Sequence, residues 1–133
     1  AGGSSVIWPG PHGFAALAWR GDEPETRDTI MKIIRTRNFT ASRPWGALDI
    51  ANMRGITTRL HWTDQPYTWH VNDGEEVFAV LDGRVEMRYR VDGDEQSTIL
   101  ETGDVFYASM GTEHVAYPLG EARILVVETG GSV

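Results

Sequence analysis

Short runs in which apolar and polar residues alternate follow one another through most of the chain. The segment RVEMRYRV (84–91) places Val85, Met87 and Tyr89 on one side and charged residues on the other. A period of two is typical of a β-strand with one buried face. The same pattern predicts further strands in IMKIIRTRNF (30–39), GALDIA (46–51), ITTRLHW (56–62), STIL (97–100), VFYA (105–108), HVAY (114–117) and ARILVVE (122–128).

EVFAVL (76–81) differs because it is apolar on both faces, which predicts a strand buried on two sides. Turn residues separate the runs every eight to twelve positions, and Asp92–Gly93 is a strong hairpin signal. No helical pattern of convincing length follows residue 31. The sequence therefore predicts an all-β sandwich or barrel.

Residues 1–30 have a different composition, rich in Gly, Pro and Ala, and Met31 resembles a natural start. We expect this stretch to be partly of expression-vector origin, or an upstream extension, followed by a single barrel domain over residues 31–133. A tail that packs on a neighbouring subunit is the alternative, because it contains the apolar residues Ile7, Trp8, Phe14, Leu17 and Trp19. His12 lies in the same stretch and is assigned no role.

Composition narrows the possible partners of the protein. The 133 residues carry a net charge of −7 without any run of Lys and Arg, so nucleic acid and anionic membranes are not expected partners. The absence of cysteine excludes disulfides, thiolate catalysis and zinc–cysteine sites. No stretch has the length of a transmembrane helix and the N-terminus lacks a signal-peptide pattern, so a cytoplasmic location is expected.

Polar side chains that can bind metal precede the apolar strand in WHVNDGEEVFAVLDG (69–83). His70 and Asn72 are two residues apart, so they share a face if this stretch is extended. Glu76 opens the apolar strand, where an unpaired carboxylate is costly. His114 begins a much later strand. Metal binding is favoured over simple hydrogen-bonded histidines if the strands aim these side chains into one lumen.

Two spacings in this region resemble the motifs of the cupin superfamily. The first motif is glycine, five residues, His-x-His, three or four residues, Glu, six residues, Gly. It matches His70, Asn72, Glu76 and Gly83, with Asp64 in place of the leading glycine. The second motif, glycine, five residues, Pro-x-Gly, two residues, His, three residues, Asn, is matched from Gly103 through Ser109, Met110, Gly111 and His114 to Pro118. The resemblance covers residues 45–128.

The resemblance implies a double-stranded β-helix, or jelly-roll barrel, that usually forms a homodimer, often by exchanging N-terminal strands. It also implies a divalent metal, such as Fe, Mn, Ni or Zn, bound by His70, Glu76 and His114. Asn72 replaces the usual third histidine. It would either bind the metal weakly through oxygen or hydrogen-bond a metal-bound water or the substrate. Two His and one carboxylate are also the ligands of the facial triad of non-haem iron.

Other residues are candidates for contacts with a small-molecule substrate. Arg59 and His61 would contact substrate, or His61 would replace a ligand, if their face of the 56–62 strand lines the lumen. The apolar Ile56, Leu60 and Trp62 slightly favour the outward reading. Phe78 and either Phe106 or Tyr107 should face inward, and His61 and Tyr107 are the candidate acid–base groups. The expected function is a metal-dependent dioxygenase, lyase or isomerase acting on a small polar molecule, and the alternative is a non-catalytic sensor with a weak or lost metal site.

Overall fold

The computed structural model describes residues 30–129, whose regular structure consists of nine β-strands and one short 3₁₀ turn at Thr36–Asn38. Residues 1–29, including the expected N-terminal extension and its apolar residues, lie outside the described part. The strands are β1 (Gly46–Met53), β2 (Ile56–Thr63), β3 (His70–Val71), β4 (Glu76–Asp82), β5 (Val85–Val91), β6 (Asp94–Leu100), β7 (Val105–Ala108), β8 (Glu113–Pro118) and β9 (Ala122–Glu128).

The strands form two antiparallel sheets. The five-stranded sheet has the order β1-β2-β9-β4-β7, and the four-stranded sheet has the order β3-β8-β5-β6. Chain neighbours such as β4 and β5 lie in different sheets, so the chain crosses repeatedly between the two layers. This confirms the predicted all-β jelly-roll barrel.

The main core lies between the sheets. Phe78 and Val80 from β4 and Ile124 and Val126 from β9 belong to the same buried cluster as Met87 from β5. Each of these strands contributes every second residue, as the period of two requires. One end of this interior is polar, and the candidate site lies there.

A second core covers the outer face of the five-stranded sheet. Phe39 and Ala41 are buried there with Leu48, Leu60 and Trp62. Residues 30–39 were predicted as a strand, which is wrong, because this stretch forms no strand and packs on the sheet through side chains. The segment is fixed by the buried Arg123, whose Nε donates to the Phe39 carbonyl at 2.8 Å.

The structure also tests the predicted burial of β4 and the predicted turn at Asp92–Gly93. The outer side of β4 is only partly covered, since Val77 is 37% exposed, so EVFAVL is not buried on both faces as predicted. The hairpin at Asp92–Gly93 is confirmed. Both residues have positive φ, 51° and 84°, as a two-residue turn of the I′ type requires, and Val91 pairs with Asp94.

No helix within residues 30–129 combines the length and apolar character that spanning a membrane requires.

Candidate metal centre and its cavity

Three strands bring His70, Glu76 and His114 together at the polar end of the barrel interior. His70 on β3 lies directly opposite His114 on β8, and their rings are 4.4 Å apart between centroids. Glu76 is the first residue of β4, in the facing sheet. One ligand atom from each residue lies within 4.8 Å of the others. The structure thus shows the convergence that the sequence spacing suggested, while the role of each residue stays a prediction.

Glu76 and His114 are buried against each other. His114 Nε2 lies 3.3 Å from Glu76 Oε1, but the alignment leaves this oxygen without a hydrogen bond. His114 Nδ1 is also buried without a partner. Burying polar atoms without partners costs about 1–3 kcal/mol each. A bound cation would offset part of this cost, because it would use a lone pair of Glu76 and one nitrogen of His114.

His70 is oriented by the backbone. Its Nδ1 lies 3.0 Å from the Thr68 carbonyl oxygen, which can only accept a hydrogen bond, so Nδ1 carries the proton. The lone pair of the neutral ring is then on Nε2, which is the arrangement that ligating histidines usually have.

Asn72 is fully enclosed near these residues. Its side chain is 2% exposed, and its Nδ2 donates to the Ala108 carbonyl at 3.4 Å. Its Oδ1 has no hydrogen-bond partner. Among residues 30–129, four of the six buried side-chain atoms without a partner are Asn72 Oδ1, Glu76 Oε1, His114 Nδ1 and Glu128 Oε1. The last three belong to residues that line a cavity, and unpartnered buried carboxylate and imidazole atoms there fit a divalent metal and its oxygen ligands. Asn72 is not among the residues that line this cavity.

A cavity of about 280 Å³ opens beside the three residues. Arg59 and His61 line it, so the slight preference for an outward position of these side chains is wrong. The apolar face of β2 does point outward, but residues 34–41 cover it, and the polar face points to the lumen. The cavity is lined by Trp45, Arg59, His61, Tyr67, His70, Glu76, Phe78, His114, Ala116, Val126 and Glu128.

His61 is a neutral acceptor in this cavity. Its Nδ1 lies 3.1 Å from the Trp45 carbonyl oxygen, so the proton belongs on Nδ1. Burial lowers the pKa of His61, although the hydrogen bond to Trp45 opposes this shift. Within the described residues, His61 is not part of the group that could hold a metal ion.

The other predicted site residues divide between the interior and the outer surface. Phe78 lines the cavity, and Phe106, rather than Tyr107, packs inward against the core. Tyr107 is 56% exposed on the outer face of β7, where its hydroxyl donates to Glu75 Oε2 at 2.9 Å. Tyr107 therefore does not reach the cavity, and its assignment as an acid–base group or substrate contact is corrected. Glu75 is exposed.

Glu128 is a cavity residue that was not predicted from the sequence. It is the last residue of β9, is 6% exposed, lines the cavity, and is the cross-strand partner of Glu76. Burial and then the charge of Glu76 raise the pKa of Glu128 to about 7, against the opposing effect of Arg59. The signal was present in the alternation of Ala122, Ile124, Val126 and Glu128, which places the carboxyl on the inward apolar face.

Two aromatic residues at the cavity were also missed as site residues. Trp45 contacts Tyr67 edge to face, with centroids 5.3 Å apart, and Tyr67 contacts His70 in the same way. Trp45 has a positive φ of 61°, which is uncommon for a bulky residue. Its indole Nε1 donates to the Gln65 carbonyl at 2.8 Å, which holds the ring in place. The polar residues are thus bordered by a rigid aromatic wall.

This chain matches a known protein family and resembles solved structures. The family model described as "Cupin domain" matches residues 61–128. A cupin-2 domain containing protein from Shewanella frigidimarina is 27% identical and superposes with a TM-score of 0.58 over 65% of this chain and 82% of its own. A cupin superfamily protein from Desulfitobacterium hafniense is 14% identical, with a TM-score of 0.61 over 77% of this chain and 93% of its own.

The fold is also similar to that of an enzyme. A structure of oxalate oxidase in complex with a substrate analogue, glycolate, is 16% identical, with a TM-score of 0.52 over 58% of this chain and 43% of its own. At this identity the similarity concerns the fold alone. The search of curated protein sequences finds no significant match.

Proposed function

The chain belongs to the cupin family, and we propose that it is a metal-dependent enzyme acting on a small polar molecule, with the metal held by His70, Glu76 and His114. The observation that carries the proposal is the convergence of two histidines and one carboxylate, within 4.8 Å, at a cavity that these residues line. Two His and one carboxylate are the ligand set of a facial triad, which leaves coordination positions open.

Each of the three residues has a different property that suits metal binding. The Thr68 carbonyl fixes the tautomer of His70, and His114 is held rigidly by burial. Glu76 supplies the negative charge that a divalent cation needs in a buried site. A metal bound there would act as a Lewis acid or bind and activate a small oxygen-containing molecule.

The cavity sets limits on the substrate. A volume of about 280 Å³ is just below the range of pockets for drug-sized ligands, which suits a small molecule. Trp45, Tyr67 and Phe78 give the cavity apolar surface, while His61 offers a hydrogen-bond acceptor. The solved cupin structures include an oxalate oxidase, but fold similarity does not choose among oxidation, elimination and isomerisation.

The first test is the metal content of the protein purified without a nickel column, measured by plasma mass spectrometry. We expect about one transition-metal ion per chain, removable with a chelator, because the three ligands are preorganised. Chelation should also abolish turnover in assays of oxygenation, elimination and isomerisation, and restoring the metal should recover it. A protein that binds no metal after incubation with Fe(II), Mn(II), Ni(II) or Zn(II) would contradict the proposal and favour a non-catalytic binding domain.

Asn72→His is expected to tighten Ni(II) and Zn(II) binding by about tenfold, since imidazole is a stronger ligand for these metals than an amide oxygen. The position suits the test, because Asn72 follows His70 by two residues and its Oδ1 lacks a partner. Isothermal titration calorimetry measures the change. Asn52→His is the matched control, because Asn52 is exposed near the end of β1. Equal affinity in wild type and Asn72→His would place residue 72 outside ligand reach.

A further inference from the structure

Glu128 has the features of a binding residue whose ligand is missing. Its side chain is 6% exposed, it lines the cavity, and its Oε1 has no hydrogen-bond partner within the described part of the chain. A buried acceptor without a donor is costly, and native proteins rarely retain one without a reason. Either protonation state of the carboxyl leaves an oxygen that accepts a hydrogen bond.

Arg59, the cationic residue that lines the same cavity, forms an ion pair with Asp49. It lies on the same wall of the cavity as Glu128, and its Nε is 2.9 Å from Asp49 Oδ1, within the five-stranded sheet. No ion pair joins Arg59 to Glu128 among residues 30–129, although the charge of Arg59 acts on the carboxyl from a distance. Within the described residues Glu128 Oε1 thus has no donor, and a molecule in the cavity would be placed to supply one.

A second acceptor lies on the same wall. His61 uses its Nδ1–H on the Trp45 carbonyl, so the Nε2 of the neutral ring accepts. His61 on β2 and Glu128 on β9 belong to adjacent strands of the five-stranded sheet. The wall thus presents two acceptors to the cavity, and such a surface favours a molecule that brings hydrogen-bond donors.

Glu128 is also close to the candidate metal centre. It lies directly opposite Glu76 in the β4–β9 pairing, and side chains of directly paired residues have Cβ atoms about 4.5–5.5 Å apart. A ligand that binds the metal through an oxygen would therefore have its neighbouring substituent close to Glu128.

We infer that Glu128 is a specificity-determining residue, which selects small molecules that carry a hydroxyl or ammonium group next to their metal-binding oxygen group. The inference rests on the proposed function, because the metal anchors one end of the ligand. Rejection of analogues without the donor follows from the buried acceptor, which such analogues would leave unpaired.

Three small carboxylates of similar size provide the test. L-lactate, L-alanine and propionate differ at carbon 2, which bears a hydroxyl group, an ammonium group or hydrogen. Each is titrated into the Co(II)-loaded protein, and binding is followed by the visible absorption of the metal. We expect L-lactate or L-alanine to bind at least about tenfold more tightly than propionate, and the preferred one distinguishes the two donor types.

Variants of Glu128 assign the preference to this side chain. Glu128→Met has a similar size but no oxygen acceptor, so the preference should fall to within about twofold. Glu128→Gln retains a carbonyl acceptor and should preserve a preference for L-lactate, whereas a preference for the ammonium of L-alanine should weaken with the lost charge. Both variants are compared at saturating Co(II), because Glu128 lies opposite Glu76 and its charge acts on that residue, so that a change in metal affinity does not enter the measured preference.

Two outcomes would overturn the inference. Equal binding of the three compounds to the wild-type protein would show that solvent satisfies Glu128, and a preference that persists in Glu128→Met would assign it to another residue. Failure of the wild-type protein to bind Co(II) would instead contradict the proposed function, and this inference with it.

Discussion

His114→Ala is expected to purify with less than about a tenth of the wild-type metal content, because it removes one of the three proposed ligands. Loss of a contact that merely supports a ligand already weakens metal binding by about 10–100-fold, so loss of a ligand should cost at least about a hundredfold. The remaining pair, His70 and Glu76, cannot complete a facial triad. Plasma mass spectrometry after identical purification measures the change.

The buried position of His114 makes folding controls necessary. His114 is 2% exposed, so the alanine variant leaves space in the core, and circular dichroism must show that it remains folded. His114→Gln fills more of the space and should also lose metal, because an amide is a poor ligand for transition metals. Tyr107→Phe is the control for an exposed aromatic residue on the outer face, and it should retain full metal content. Unchanged metal in folded His114→Ala would contradict the assignment.

Phe39→Ala is expected to lower the free energy of unfolding by about 3–5 kcal/mol, which is the usual cost of removing a buried phenylalanine. Phe39 belongs to the 34–41 segment and is fully buried against the outer face of the five-stranded sheet. It is part of the same buried cluster as Leu48, Leu60 and Trp62. The backbone carbonyl that accepts from Arg123 is retained in the variant, so the measured loss reports on the side chain. Equilibrium urea denaturation gives the value.

A nearby isoleucine provides the comparison for Phe39. Ile33 belongs to the same N-terminal stretch but is 51% exposed, so Ile33→Ala should change the free energy of unfolding by less than about 0.5 kcal/mol. If Phe39→Ala costs less than about 1 kcal/mol, the 34–41 segment does not form a second core on the sheet. A large loss in both variants would show that the whole stretch is packed, including residues that are exposed in the described chain.

The different success of the predictions for β5 and for residues 30–39 has a physical cause. The alternation in 84–91 and the Asp92–Gly93 turn are local signals, and both agree with β5 and its hairpin. The apolar residues of 30–39 have a similar local pattern, but within residues 30–129 this stretch pairs with no strand. Phe39 and Ile34 pack on the sheet through their side chains instead, and strand formation depends on non-local pairing.

The orientation of β2 also could not be predicted from its local pattern. One face of β2 is apolar and the other carries Arg59 and His61, and the usual rule places the apolar face inside. Here the sheet has two covered faces, since residues 34–41 bury the outer one, and the polar face lines the cavity. Only the arrangement of the 34–41 segment decides this, and no local pattern in β2 contains that information.

The sequence by itself determined most of the strands, the Asp92–Gly93 turn and the choice of His70, Glu76 and His114 as candidate ligands, because alternation, turn chemistry and motif spacing can be read along the chain. Only the tertiary structure decided that Glu128 joins these residues, that His61 faces the lumen and that Tyr107 does not. These facts depend on the pairing of β9 with both β2 and β4, which are far apart in the chain. Register and sheet packing create the cavity, and they arise from contacts that a single sequence does not reveal.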